Sequence, residues 1–350
     1  MDILGKKIII FGFGEYQNLL EEILPYEIKI SYYIDNNINK QGKIYKGKRI
    51  FEPEYIKTED PSEILVIISS LIHYDEMSQQ LIEFGLIEHI NFTSSHAVSM
   101  ELLAKDSNLK VLHADRVKKL YNLDFDMELD FLPIMGKIMM YTMTNATRMY
   151  NLYKAVEYIV NNQIDGDIVE CGVWKGGSCM VVAHSLLSFG EDNRKIYMYD
   201  TFGEGFIEDK NKIDTRLQGF QEPSNNQIGK DFNFMGHVRL ATEQEVKQNL
   251  VSTKYPIDNI ITVKGRVQDT IPDVIPDKIA LLRLDTDWFE STYHELNYLY
   301  NRISKNGILI VDDYGYSRGS MSAVNRYFEE NNIQMLLTKM DSYARIGIKI

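Results

Sequence analysis

Apolar residues fall along this chain in short blocks separated by polar, glycine-containing breaks, and the blocks alternate between two periods. Residues 6–11 (KKIIIF) read as a buried strand; Gly12, Phe13 and Gly14 then turn the chain into a helical pattern over 16–24 that stops at Pro25. A second strand is expected over 28–34, ending at Asp35. A third, EILVIISS, covers 63–70, and a helix over 77–84 and a short strand over 87–92 follow. Such alternation predicts a small parallel sheet with its own core. Residues 93–135 lack a clear period and read as a connector with short helices, Ser94, Ser95 and His96 standing where a helix cap would.

The alternation resumes with a long amphipathic pattern over 149–161 and a turn at Asp165 and Gly166. A strand through Ile168 and Val169 follows, then a glycine-rich loop and a helical run over 180–187. Further strands are expected over 195–199, 260–264, 279–284 and 308–311. Thr242 to Glu245 (TEQE) carries a capping-box pattern for a helix through 250, and residues 203–236, rich in glycine, charge and asparagine, read as a lid. The organisation expected is α/β throughout: a Rossmann-like accessory domain over 1–95, a connector over 96–134, and a larger doubly wound domain over 135–350.

Composition narrows the partners. The formal net charge of −12 argues against a general nucleic-acid or anionic-membrane surface. No window of about 18 uninterrupted apolar residues predicts a membrane span. Cys171 and Cys179 are the only cysteines. A disulfide framework is therefore not expected, and a reducing cytoplasm is the default compartment. In the first domain Gly12, Gly14 and Asp35 imitate a dinucleotide fingerprint, but Gln17 stands where the third glycine belongs. That domain then serves either recognition of a nucleotide-like or sugar-linked group or docking and oligomerisation.

The chemistry concentrates in the larger domain. Its glycine-rich loop, DIVECGVWKGGS over 167–178, places Glu170, Gly172, Gly176, Gly177 and Ser178 between a strand and a helix start, where free N–H groups meet a ligand. The E-x-G-x-x-x-G-G spacing resembles the first motif of S-adenosylmethionine (SAM) methyltransferases. Asp200, ending the next strand, stands where ribose hydroxyls would be held, or else caps its own turn. Two acidic clusters close further strands: Asp285 and Asp287 after IALLRL, and Asp312 and Asp313 after ILIV. Carboxylates at adjacent strand ends repel unless a hard divalent cation such as Mg²⁺ joins them, the alternative being ordinary solvated loop carboxylates.

At these residues the resemblance sharpens. DIVECGVWKGGS, YMYDTF, LATEQEVKQNL, VKGRVQDTIP, LLRLDTDWFEST and NGILIVDDYGY stand in order, and the chain resembles the TylF/MycF (macrocin O-methyltransferase) family of SAM- and Mg²⁺-dependent sugar O-methyltransferases. The resemblance covers roughly residues 135–345 and implies metal binding by Asp285, Asp312 and Asp313. It implies a SAM site formed by Thr142, Met143, Glu170, Cys171, Gly172, Val173, Gly177, Ser178, Asp200, Thr201, Phe202, Gly265, Val267, Gln268 and Asp285. Asp285 is the first choice as catalytic base, with Asp287 and His237 in reserve; His294 reads as structural. The implied acceptor is a sugar hydroxyl on a natural product, a nucleotide or a surface glycan, and the implied assembly is a homo-oligomer. A catechol-like phenol acceptor, a non-catalytic scaffold and a nucleotide-sugar oxidoreductase using the first domain are the alternatives.

Overall fold

The computed structural model describes residues 5–203 and 240–350, apart from 14, 71, 121, 122, 124 and 125. Almost all of the expected lid, and His237, lie outside the described residues. The chain divides into two compact units, Met1–Met140 and Tyr141–Ile350.

In the first unit the elements follow as β1 (Lys7–Phe11), α1 (Glu15–Ile23), β2 (Ile30–Ile34), β3 (Ile44–Tyr45), β4 (Lys48–Phe51), β5 (Ile64–Ile68), α2 (Tyr74–Glu83) and β6 (Phe92–Ser94). The described strands are ordered β3-β4-β2-β1-β5-β6, with parallel pairing from β4 to β6. The β3–β4 hairpin was not foreseen; its strands are too short to show a period. Beyond β6, the residues read as a connector form α3 (Ser95–Lys105), α4 (Ser107–Leu120) and α5 (Leu132–Ile138) within this unit. Ser94 caps α3, its side chain accepting from Ala97 N at 3.2 Å.

The dinucleotide-like features of this unit are occupied by its own residues. Asp35 accepts from Asn37 N and pairs with Lys40 at 2.9 Å. Ser69 Oγ donates to the Gly12 carbonyl, and a Cβ at Gly12 would meet the Met77 methyl at 3.1 Å. Gln17 is buried and hydrogen-bonds Glu21.

The second unit opens with α6 (Ala146–Asn161), capped by Asn145, whose side chain accepts from Arg148 N. There follow β7 (Asp167–Cys171), α7 (Gly177–Ser188), β8 (Ile196–Asp200), α8 (Glu243–Ser252), β9 (Ile260–Lys264), α9 (Val267–Thr270), β10 (Ile279–Leu284), α10 (Phe289–Leu299), β11 (Ile303–Val311), α11 (Arg318–Glu330), β12 (Thr338–Lys339) and β13 (Arg345–Ile348). The described strands are ordered β12-β13-β11-β10-β7-β8-β9, parallel from β11 to β9, with β13 antiparallel beside β11. Winding proceeds outward in both directions from β7, so a crevice opens at its carboxyl end, where open α/β sheets bind ligands.

Register decides which side chains share a face. Arg283 on β10 stands opposite Glu170 on β7 and Ile310 on β11, while Leu284 stands opposite Cys171 and Val311. The second set joins the core with Leu296 and Leu299 of α10 and Val324 and Tyr327 of α11. Side chains alternate along a strand, so Arg283 and Glu170 point to the other face. Both are buried, at 3% and 2% exposure.

Candidate active site

Two cavities meet at the carboxyl end of β7. Gly172, Asp200, Thr201 and Asp285 line both. The smaller, about 120 Å³, is completed by Gly265, Val267, Gln268, Trp288 and neighbouring residues. Its lining mixes apolar Val267 and Trp288 with polar Asp200, Thr201 and Gln268, and its volume suits a flat aromatic group. The larger, about 260 Å³, carries Asp287, Asp312 and Asp313 with Met143, Trp174, Tyr316 and Tyr343. Two more voluminous grooves, about 900 and 810 Å³, share Asp165 and Lys278 at the other end of the sheet; neither touches these acidic residues.

Backbone packing brings the glycine-rich loop against the acidic strand. Gly172 has φ +86°, and its N–H donates to Tyr199 O while Asp285 N donates to Cys171 O. A Cβ at Gly172 would lie 2.6 Å from the Asp285 carbonyl carbon and closer still to its oxygen. Only glycine admits this approach. Asp200 braces the same loop: its Oδ2 accepts from Val173 N at 2.7 Å and Trp174 N at 3.0 Å, and its Oδ1 from Phe202 N.

Asp285, Asp312 and Asp313 each offer an oxygen, all within 4.8 Å of one another. Two oxygens on one Mg²⁺ lie at most about 4.2 Å apart, twice the usual ~2.1 Å bond, so a small contraction would close the set. Asp312 is 2% exposed; its Oδ2 takes Arg148, while Oδ1 makes no hydrogen bond and only an ion-pair contact with Arg283 Nη2 at 2.7 Å. Burial pushes the Asp285 carboxyl up to about 7, with Asp312 and Asp287 adding repulsion against the pull of Arg283. Burial likewise raises Asp313 well above the ordinary range, helped by Asp287, Asp285 and Asp312, and the Asp285 and Asp313 carboxyls bond to each other. An all-oxygen donor set of three clustered carboxylates, two of them with carboxyls raised by burial and mutual repulsion, fits a hard divalent cation.

A macrocin-O-methyltransferase (TylF) family model matches residues 86–346, most of the chain. The chain belongs to the TylF family of O-methyltransferases. A separate family model, C2185-like N-terminal, matches residues 4–90. Among curated relatives, demethyldecarbamoylnovobiocin O-methyltransferase of Streptomyces niveus is 29% identical over 205 residues, covering 57% of this chain and 72% of the relative. A Streptomyces olivaceus relative, 8-demethyl-8-(2,3-dimethoxy-alpha-L-rhamnosyl)-tetracenomycin-C 4′-O-methyltransferase, is 29% identical over 204 residues, with the same coverages of 57% and 72%. The solved structure of the O-methyltransferase NovP superposes with a TM-score of 0.50 at 27% identity, covering 60% of this chain and 82% of that one.

Of the residues expected to surround the cofactor of this TylF-family enzyme, Met143, Gly172, Asp200, Thr201, Gly265, Val267, Gln268 and Asp285 line the two cavities. Thr142 hydrogen-bonds Thr144 beside them. Glu170, Cys171, Val173, Gly177, Ser178 and Phe202 appear in neither lining and are buried. Glu170 in particular is enclosed by Ser178 Oγ, Cys179 Sγ and Arg283 Nη1 rather than facing a ligand. His294 binds the Ile271 carbonyl through Nε2, the structural role expected of it.

Sequence reasoning missed the basic half of the site. Arg283 donates to Glu170 and, at 2.8 Å, to Asp285, and contacts Asp312. Arg148 joins Asp312 to Asp341. A signal was available: an arginine inside IALLRL is a charge in a buried strand, which requires carboxylate partners. Glu295, also missed, is fully buried and raised to about 8 by burial, and its Oε1 accepts from Thr286 Oγ1 at 2.9 Å.

Proposed function

We propose that this chain transfers the methyl group of S-adenosylmethionine to a sugar hydroxyl, with Mg²⁺ held by Asp285, Asp312 and Asp313. The observation carrying this reading is the shared wall: Gly172, Asp200, Thr201 and Asp285 separate an aromatic-sized cavity from one lined by the acidic triad. The adenine ring would occupy the first, against Val267, Trp288 and Gln268. The acceptor fits the second, where Trp174, Tyr316 and Tyr343 offer aromatic faces of the kind sugars pack upon. The Streptomyces olivaceus relative, named for methylation at a rhamnosyl group, supports a sugar acceptor.

When bound, the cation would supply Lewis acidity to the acceptor hydroxyl and the sulfonium would supply the methyl group. The chain's own residues do the rest. Asp285 is committed to Arg283 and Asp313, so the proton-accepting role passes to Asp287. Asp287 lines the acceptor cavity and is held at φ +63°, a left-handed conformation a non-glycine residue seldom adopts. Its carboxylate would take the hydroxyl proton. The aromatic wall and Met143 would exclude water from that exchange.

Calorimetric titration of SAM into metal-stripped protein, with and without Mg²⁺, followed by a methyl-transfer screen on sugar acceptors, tests the reading. Saturable SAM binding with Mg²⁺-dependent turnover is expected; no SAM binding in either condition sinks it. Asp287→Asn should keep SAM and Mg²⁺ binding while lowering kcat by about 10²-fold or more, the usual worth of a general base.

A further inference from the structure

Five carboxylates and two guanidiniums are packed together at this site: Glu170, Asp285, Asp312, Asp313 and Asp341 with Arg283 and Arg148. Arg148 reaches outward, tying Asp312 to Asp341 near the C-terminus of the chain. Arg283 reaches the other way. Its single guanidinium contacts Glu170 on β7, Asp285 at the end of β10 and Asp312 at the end of β11. Those contacts span three adjacent strands and need register, since Arg283 stands directly across from Glu170.

Glu170 carries the connection onward. Its two oxygens accept from Ser178 Oγ and Cys179 Sγ, both in the first turn of α7, which the glycine-rich loop enters. The loop's own backbone is fixed by Asp200 on the opposite side. Arg283 is thus a side-chain bridge between the helix start behind the cofactor loop and two of the three metal-binding carboxylates. A planar guanidinium holds several carboxylates at fixed angles, which a point-charge ammonium does not.

We propose, resting on the SAM- and Mg²⁺-dependent reading above, that Arg283 is a positioning residue that couples the two ligands, so that filling the cofactor loop orders the acidic triad for the cation and the reverse. A cation drawing Asp285 and Asp312 together changes the geometry that Arg283 presents to Glu170. A cofactor settling on the loop fixes α7, and with it Glu170, from the other end. Coupling between two sites is reciprocal by thermodynamic necessity.

The test is a calorimetric cycle on the full chain. Mg²⁺ affinity is measured with and without saturating S-adenosylhomocysteine, and S-adenosylhomocysteine affinity with and without Mg²⁺. Wild type should show about tenfold mutual enhancement, within the usual range of coupling between sites. Arg283→Lys, which keeps the charge but loses the fork, should bind each ligand with the enhancement reduced below about twofold. Glu170→Gln cuts the link at its other end, leaves all three triad carboxylates in place, and should lose the enhancement in the same way. A merely structural arginine would lower stability in both variants without touching the ratio. Independent binding in wild type, or enhancement that survives in both variants, overturns the proposal while leaving the proposed function intact. Failure of wild type to bind S-adenosylhomocysteine or Mg²⁺ at all overturns both.

Discussion

A close approach of two backbones at the site, Gly172 against Asp285, gives a severe test. Gly172→Ala adds one methyl group where the loop crosses the acidic strand. Two costs follow. The residue sits at φ +86°, where an L side chain loses about 1–2 kcal/mol. The new Cβ would lie 2.6 Å from the Asp285 carbonyl carbon, far inside ordinary contact. The obstacle is backbone fixed by Asp285 N to Cys171 O at 2.8 Å and Gly172 N to Tyr199 O at 2.9 Å, so no side-chain rotation relieves it. Overpacking of this kind costs about 1–3 kcal/mol. The sum, about 2–5 kcal/mol, corresponds to a fall in Tm of about 5–15 °C for a unit of this size. The relief must also displace Asp285, a proposed cation ligand, and a misplacement of about 1 Å at a reacting centre costs about 10²-fold in rate. Gly190→Ala separates the two terms: Gly190 has φ +77° with nothing within 4 Å of a built Cβ, so it should lose only the backbone term and keep full Mg²⁺ affinity. Differential scanning calorimetry and Mg²⁺ titration read both variants. A Gly172→Ala protein with the Tm, Mg²⁺ affinity and turnover of wild type would refute the argument.

Three further outcomes are expected. In metal-free protein Asp285 is raised to about 7, so its stabilising contribution is full below its ordinary pKa near 3.8 and is lost as pH rises through 7. The Tm gain from Mg²⁺ should therefore grow between about pH 5.5 and 8, and a gain independent of pH would count against the triad as the binding site. His96 is buried and depressed to about 3, so its contribution is full above 6.5 and declines as pH falls below it, at most about 1.4 kcal/mol per pH unit; His96→Phe should flatten the acid limb of the melting curve of the first unit. Thr242 accepts from Glu245 N while Glu245 receives Thr242 N, so Thr242→Ala should cost about 1 kcal/mol, seen as a Tm drop of about 2–4 °C.

The sequence by itself determined the elements whose information is local. Solid apolar runs located β1, β5, β10 and the end of β11 within a residue or two, because a fully buried strand needs no partner to announce itself. Thr242 and Glu245 announced a helix start because the box closes within four residues. Asp285, Asp312 and Asp313 were legible as a cluster because parallel strands deliver their carboxyl ends to one edge. The β3–β4 hairpin, the β12–β13 pair and the last long helix were not anticipated. The hairpin strands are two and four residues long and take their stability from the elements they lie on.

Only the tertiary structure decided how the charges are disposed. Glu170 reads as a ligand-facing acid, yet it is enclosed by Arg283, a residue 113 positions away, and by the first turn of α7. Asp200 reads as a ribose acceptor or a turn cap, and only the structure shows that its oxygens take loop N–H groups from Val173, Trp174 and Phe202 while it lines both cavities. Asp287 reads as a reserve to Asp285 two residues earlier, and its positive φ is not legible in the sequence. The reason is physical: alternation along one strand fixes which residues share a face, but the partner a buried charge meets depends on the register between strands, and register is set by packing across the whole sheet.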